Sequence, residues 1–373
     1  MNRPESKTIL FVANSSWNLA NFRAPIIAAL KDHGYKVAAA VPDDAGAAQL
    51  RDSGVEVHSV DVDAQGFSPL RDSLLLIDYL KLLRRVRPAA IFGFTIKPNI
   101  YASLAAARFG IPVINTISGL GTGFLSGSLL QGLVTRLYRW ALARSKRVFF
   151  HNEEDRDMFV ELGIVSAAQA VVVAGSGVDL RRFQPVEKNT DQRSPVFLFI
   201  GRLLTDKGAL EFAKAASIVR KSRQARFRML GALDDHPKAA PRDVMHRHAA
   251  DGTIELLEPA QDVRPYIAEA DCVVLPSYRE GLPRVLLESA AMATPVIATD
   301  VAGCRQAVDD RVTGLLCEAR SAESLASTMA DFADMPAERR LEMGAAARAK
   351  AEREFCESGV VAAYLEELRK IGI

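Results

Sequence analysis

A chain of 373 residues with 49% apolar and 25% charged side chains is ordinary globular material, long enough for two or three domains at about 150 residues each. Its 47 Lys and Arg against 45 Asp and Glu leave a formal charge of +2, so no whole-molecule signal for a polyanion exists and no nucleic-acid partner is expected. The four cysteines, Cys272, Cys304, Cys317 and Cys356, form no Cys-x-x-Cys pair, which excludes zinc ribbons and a disulfide framework and points to a reducing cytosol.

In chain order, the apolar run 9–13 reads as a strand and is too short for a signal sequence. No stretch of about 18 apolar residues suggests a spanning helix. A helix is expected at 21–33, a strand at 36–41, a helix at 45–52, a strand at 55–62 and a helix at 73–86. Then come a strand at 89–94, a helix at 100–109 and a strand at 111–117. A long helix ending near Arg144 leads to strands at 147–151 and 170–174, and the polar stretch 186–194 reads as a linker. The alternation then restarts: strand 196–200, helix 208–221, strands 226–230, 253–257 and 272–276, helix 283–292, strands 295–299 and 314–317. Helices at 321–332, 337–352 and 360–370 close the chain. Short β-branched runs alternating with helices imply βαβ units and parallel sheets covered on both faces. The expected fold is α/β, with two Rossmann-like doubly wound domains at 1–190 and 191–355, followed by a terminal helix at 356–373. Ligands of such sheets bind beyond the carboxyl ends of strands, at switch points, so a cleft between the halves is the expected site.

The near-neutral total hides an asymmetry. Residues 1–190 carry 22 Lys and Arg against 17 Asp and Glu, a net +5, and the remainder a net −3. Between Asp78 and Glu153 there are eleven bases and no acid, which suggests a surface for something anionic.

Two constellations carry the chemistry. The first runs from Pro276 through Glu280, Gly281, Leu282 and Pro283 to Glu288, after a buried strand. Pro283 suits a first helical turn, and the Gly281 and Leu282 amides would then sit at a helix N-terminus, a natural anion site. The second is Gly201 and Arg202 at a strand end, with Lys207 and Gly208 before the next helix. A planar fork of donors and a point charge suit a diphosphate. Gly119, Gly121 and Gly123 are spaced like a dinucleotide loop, but the next acid is Glu153, too distant for that motif. Asp61 and Asp63 have the spacing of a metal-binding pair, yet at a strand end they read as capping acids. His151 alone among the six histidines follows a strand near the expected cleft.

Taken together, these motifs resemble the retaining glycosyltransferases of the GT-B architecture, family four, whose signature is Glu, seven residues, Glu, here Glu280 and Glu288. Gly201 with Arg202, Lys207 with Gly208, the Gly231 turn, Gly303, and Thr313 with Gly314 follow in family order, as do Ser176 to Asp179 with Phe183 and Pro185. The resemblance implies sugar transfer from a nucleotide diphosphate sugar, UDP expected, with no cofactor and no metal. It implies that Arg202, Lys207 and Glu280 act in catalysis and that Gly201, Gly281, Leu282, Pro283 and Glu288 complete the donor site, Glu288 on the ribose. It also implies a terminal helix that crosses back to the N-terminal domain. Residues 95–101 and 117–124 narrow the resemblance to bacterial transferases that extend a sugar on undecaprenyl diphosphate, N-acetylgalactosaminyltransferases among them. That implies a lipid-linked sugar acceptor, met by Arg23, Lys97, Ser118 and Gly119, and a peripheral location on the anionic inner face of the cell membrane.

The chain departs from the family in two places. The Gly-rich loop after the first strand is replaced by Asn14, Trp17 and Asn18, followed by Arg23, and Ser118 and Gly119 stand where a histidine is often found. A nucleotide-sugar 2-epimerase is the main alternative, but it needs acid and base groups that the acid-free interval does not offer. A degenerate sugar-binding subunit is the other, and intact Arg202, Lys207, Glu280 and Glu288 argue against it.

Overall fold

The computed structural model describes residues 7–63, 68–119, 129–187, 194–233 and 236–373. It divides into two compact units, Met1–Ser176 with Glu357–Ile373, and Gly177–Cys356. The first holds strands β1 (Thr8–Val12), β2 (Lys36–Val41), β3 (Glu56–Ser59), β4 (Ala90–Phe94), β5 (Val113–Ile117), β6 (Arg147–Phe150) and β7 (Ala170–Val172). They form one parallel sheet in the order β3-β2-β1-β4-β5-β6-β7. The second holds β8 (Val196–Ile200), β9 (Arg226–Leu230), β10 (Glu255–Leu257), β11 (Cys272–Leu275), β12 (Val296–Thr299) and β13 (Gly314–Cys317), parallel in the order β10-β9-β8-β11-β12-β13. Strand order reverses between β1 and β4 and between β8 and β11, which places a switch point in each unit.

Residue alternation explains why a central strand such as β1 is apolar almost throughout, while the edge strand β3 keeps Glu56 and Ser59 exposed. Ile9 and Phe11 of β1 enter the core on one sheet face, and Leu10 and Val12 enter the core on the other. Both faces are covered by helices, so nearly every position of such a central strand is removed from water, at about 1.5–3 kcal/mol for each large side chain buried.

Several expected elements shift. The helix expected at 21–33 is two helices, Ser16–Phe22 and Ala24–Asp32, because Pro25 in the first turn of the second has no N–H to continue the first. Helices Glu153–Glu161, Arg242–Ala250 and Arg264–Glu269 were not expected from the pattern. Each buries only one or two side chains, too few to print an apolar period. The units part at Ser176 and not at 190, because the Val178 N–H donates to the Phe355 carbonyl at 2.8 Å and ties the following turn to the second unit.

The terminal helix Glu357–Lys370 belongs to the first unit. Its Val360, Tyr364 and Leu368 share one stripe and join the core under β1, β4 and β6. The Tyr364 ring lies edge-on to Phe149 and Phe92, at 4.6 and 5.1 Å, and its hydroxyl meets Thr116 Oγ1 at 2.6 Å. Tyr364→Ala is therefore expected to destabilise the first unit by about 3–5 kcal/mol in urea unfolding. Tyr364→Phe, which keeps the ring and loses one hydrogen bond, should cost about 1 kcal/mol.

Candidate functional site

In the second unit, the loops after β8 and β11 leave neighbouring strands at the switch point and are knitted together. The β8 loop forms a 3₁₀ turn at Thr205–Lys207 and enters the helix Ala209–Val219 through Gly208. Gly208 has φ +74°, and a Cβ there would lie 2.1 Å from the Pro276 carbonyl oxygen, so only glycine lets the loops approach. The Tyr278 N–H donates to the Asp206 carbonyl at 2.9 Å, and the Tyr278 hydroxyl donates to Glu211 at 2.7 Å. The Lys207 ammonium donates to Glu280 Oε1 at 2.5 Å. From below, Gly303 supports the β11 loop; a Cβ there would come within 2.4 Å of the Gly281 carbonyl oxygen.

The expected donor residues thus converge in part. Gly201 and Arg202 open the β8 loop, with Arg202 exposed; Lys207 and Glu280 meet in an ion pair. Pro283 caps the helix Arg284–Ala291 from outside it, so Gly281 and Leu282 precede the helix. The first-turn amides at this end are therefore those of Arg284 and Val285. Glu288 is mostly buried, and Arg284, one turn earlier, donates to it at 2.7 Å. Burial pushes the Glu288 carboxyl above its ordinary range, while Arg284 and Arg182 pull the other way. Arg284 is a neighbour that sequence reasoning missed, although its i,i+4 spacing to Glu288 was visible.

In the first unit, Lys97, Ser118 and Gly119 line one cavity of about 240 Å³ at the carboxyl ends of β1, β4 and β5, together with Asn14, Asp63 and Thr95. Thr95 sits in a sparsely populated backbone region, φ +67° and ψ 161°. Such a residue costs on the order of 1–3 kcal/mol and persists only where its surroundings hold it. Here its hydroxyl does so, accepting from the Asn14 N–H at 3.1 Å and donating to the Phe94 carbonyl at 2.5 Å. Behind the cavity, Asn115 donates to Asn99 at 3.0 Å and to Ser103 at 3.1 Å, and accepts from Ser145 at 2.7 Å.

Two expected acceptor contacts need correction. Lys97 is not an open cation: its ammonium lies 2.8 Å from the carboxylate of buried Asp72. Asp72 also holds Tyr101, whose hydroxyl is pushed up to about 12, by burial first and then by that carboxylate. Arg23 does not line the cavity. It is 3% exposed, with its guanidinium 4.6 Å over the Phe94 ring. Nearby His151 is buried, and burial, then the Arg23 charge, lowers its pKa to about 3, so the imidazole is neutral.

Asp63 pairs with Arg71 at 3.2 Å and Asp61 is exposed. Among the described residues, no group of three or more His, Cys, Asp or Glu side chains could hold a metal ion. Gly121 and Gly123 lie outside the described residues.

Two family models match the chain. One, described as a glycosyl transferase 4-like domain, matches residues 20–175, and one described as glycosyl transferases group 1 matches residues 194–334. A Campylobacter jejuni N,N'-diacetylbacillosaminyl-diphospho-undecaprenol alpha-1,3-N-acetylgalactosaminyltransferase is 24% identical, over 84% of this chain and 86% of its own length. An Escherichia coli UDP-Gal:alpha-D-GlcNAc-diphosphoundecaprenol alpha-1,3-galactosyltransferase is 25% identical, over 69% of this chain and 70% of its own. In fold, the Anabaena protein HepE, solved in complex with UDP, superposes with a TM-score of 0.78 at 16% identity, over 97% of this chain and 100% of its own.

The local geometry has two measurable consequences. Gly208→Ala forces a side chain into the Pro276 carbonyl at positive φ, and should cost at least about 2 kcal/mol in unfolding of the second unit. His151 has a folded pKa of about 3 against 6.5 unfolded, so the unfolded chain binds its proton first as pH falls. Its contribution is complete above 6.5 and is lost downward, by at most about 1.4 kcal/mol per pH unit. Urea midpoints measured from pH 7 to 4 should fall less steeply in His151→Gln than in the wild type.

Proposed function

This chain belongs to the glycosyltransferases that join a glycosyl transferase 4-like domain to a group 1 domain, with the GT-B fold, and within that family we propose a particular reaction. It moves a hexose or N-acetylhexosamine from a UDP-sugar to a sugar carried on a lipid diphosphate, with anomeric configuration kept. The observation that carries this reading is the Lys207–Glu280 pair at the switch point of the second unit, with Arg202 on the same loop. The Campylobacter and Escherichia coli relatives, both named for undecaprenol-diphosphate acceptors, support the acceptor class, and the second is named for a UDP-sugar.

In the proposed reaction, Arg202 and Lys207 hold the diphosphate and stabilise the charge that develops as the bond from sugar C1 to the phosphate oxygen breaks. Glu280 accepts hydrogen bonds from donor-sugar hydroxyls, and Glu288, held by Arg284, accepts from the ribose. Gly201, Gly281, Leu282 and Pro283 shape the backbone around the donor, and the Arg284 and Val285 amides add dipole at the phosphate. The acceptor hydroxyl attacks C1 from the face the nucleotide leaves. Its proton passes to the departing phosphate oxygen, so no enzymic nucleophile is required. Two cations and a helix terminus do the electrostatic work that a metal does elsewhere, so the reaction is proposed to be metal-independent.

For the acceptor, the cavity lined by Lys97, Ser118 and Gly119 is the proposed binding place, with Lys97 exchanging Asp72 for phosphate oxygens. Arg23 is reassigned from direct contact to support of the β4 end. No helix among the described residues is long and apolar enough to cross a membrane. A lipid-borne acceptor therefore places the enzyme, on this proposal, peripherally at the cytoplasmic face of the cell membrane.

The test is incubation with a panel of sugar nucleotides, with and without an undecaprenyl-diphosphate-linked sugar. Nucleoside diphosphate should be released only with the acceptor, and NMR of the product should show the donor's own anomeric configuration. Release without acceptor, or an inverted product, would overturn the reading. Lys207→Ala and Arg202→Ala should each lower kcat about a hundredfold or more while leaving the fold intact. Activity should also survive excess chelator; loss restored by manganese or magnesium would return weight to Asp61 and Asp63.

A further inference from the structure

Tyr278 ties the two loops of the second unit at both ends of one residue. It lies on the β11 loop, two positions before Glu280, and is half-buried. Its N–H donates to the Asp206 carbonyl at 2.9 Å and its hydroxyl to Glu211 Oε1 at 2.7 Å. Those partners stand one position before Lys207 and four after it, so the two bonds bracket the lysine.

Glu211 belongs to the first turn of the helix Ala209–Val219, whose Phe212, Ala213, Ala216 and Val219 are buried in the core of the second unit. It is therefore carried on a rigid element, whereas Tyr278 sits in irregular chain between β11 and the helix Arg284–Ala291. The Arg320 guanidinium lies 4.8 Å over the Tyr278 ring, which holds the ring on its face as well. Burial first, then Glu211, pushes the Tyr278 hydroxyl up to about 12, so it keeps its proton and donates. Glu211 Oε2 is buried and has no hydrogen bond among the described residues, which leaves the carboxylate dependent on the tyrosine.

The Lys207–Glu280 pair holds the loops in register only while it lasts. An ammonium on a four-carbon stem is a mobile point charge, and on the proposed chemistry it turns to the diphosphate. The tie at Tyr278 is broken by no step of that chemistry. We propose that Tyr278 and Glu211 are positioning residues for the transfer, holding the β11 loop so that Glu280 stays on the donor sugar once Lys207 has left it. The proposal rests on the reaction proposed above and adds two residues to it. Both act through Glu280 and not on the donor itself.

The test is steady-state transfer with the UDP-sugar and undecaprenyl-diphosphate-linked sugar on which the wild type turns over. UDP binding by calorimetry and hydrogen exchange of the free protein are measured beside it. Tyr278→Phe keeps the ring beneath Arg320 and removes only the hydroxyl, and Glu211→Ala removes the acceptor. Each is expected to lower kcat about tenfold, while the Kd for UDP, which needs no sugar contact, stays within about threefold. Glu211→Gln keeps a carbonyl oxygen for the hydroxyl and should hold kcat within about threefold of the wild type. In a Glu280→Ala background, Tyr278→Phe should lower kcat no further, because the residue it positions is gone. Backbone amides of 277–282 should exchange faster in Tyr278→Phe and Glu211→Ala than in the wild type or Glu211→Gln. Full kcat in Tyr278→Phe, equal losses in Glu211→Gln and Glu211→Ala, or losses additive with Glu280→Ala overturn the proposal. UDP binding that weakens as much as kcat does so too, since that is general damage to the site. A wild type that transfers no sugar sinks the reaction instead. The tie is then judged by exchange alone, and unchanged exchange at 277–282 overturns it.

Discussion

The ion pair between Lys207 and Glu280 organises the second unit's site. Each residue belongs to a different loop, and the loops meet only because β8 and β11 are neighbours where the strand order reverses. A half-buried pair such as this adds little net stability, since desolvation and solvent screening offset attraction. Its effect is on position and charge. It fixes the register of the β11 loop against the 3₁₀ turn and leaves the two charges balanced against each other. On the proposed chemistry, a diphosphate offers the lysine a doubly charged partner, and sugar hydroxyls offer the glutamate new donors. On the same proposal, Lys97 exchanges Asp72 for acceptor phosphate oxygens in the first unit.

Rigidity behind these exchangeable contacts comes from neutral polar groups. Asn115, Asn99, Ser103 and Ser145 bond to one another inside the first unit. Gly93 leaves them room, since a Cβ there would lie 2.6 Å from Asn99 Oδ1. A satisfied buried network of this kind fixes one arrangement of β4, β5 and the helix between them. Thr95 can then hold its unfavourable backbone angles at the rim of the cavity.

The parallel sheets and most helices were legible because burial on both faces of a strand leaves an unbroken apolar run, as in β1 and β8. The meeting of Lys207 with Glu280 was legible only as two strand ends on separate segments; their contact depends on strand order. Asp72 was invisible, because its role depends on the packing of helix Pro69–Val86 against helix Ile96–Phe109, a tertiary fact. Arg23 misled for a related reason. An arginine after a strand reads as a surface cation, but the terminal helix and Phe94 enclose it. The polar helix Arg242–Ala250 left almost no trace, since Met245 alone among its residues is buried.

The return of residues 357–373 to the first unit makes that unit discontinuous in sequence, with the second inserted into it. During synthesis from the N-terminus, the second unit is complete before the piece that finishes the first has left the ribosome. Until then, the site that receives Tyr364, between Phe92, Phe94 and Phe149, has no occupant from its own chain. Its closure joins residues about 250 positions apart, as the Thr116–Tyr364 contact does. Long-range closure of that kind is slow relative to local helix formation. The nascent first unit therefore spends its early life with an aromatic face open, and that face is where a chaperone would find it.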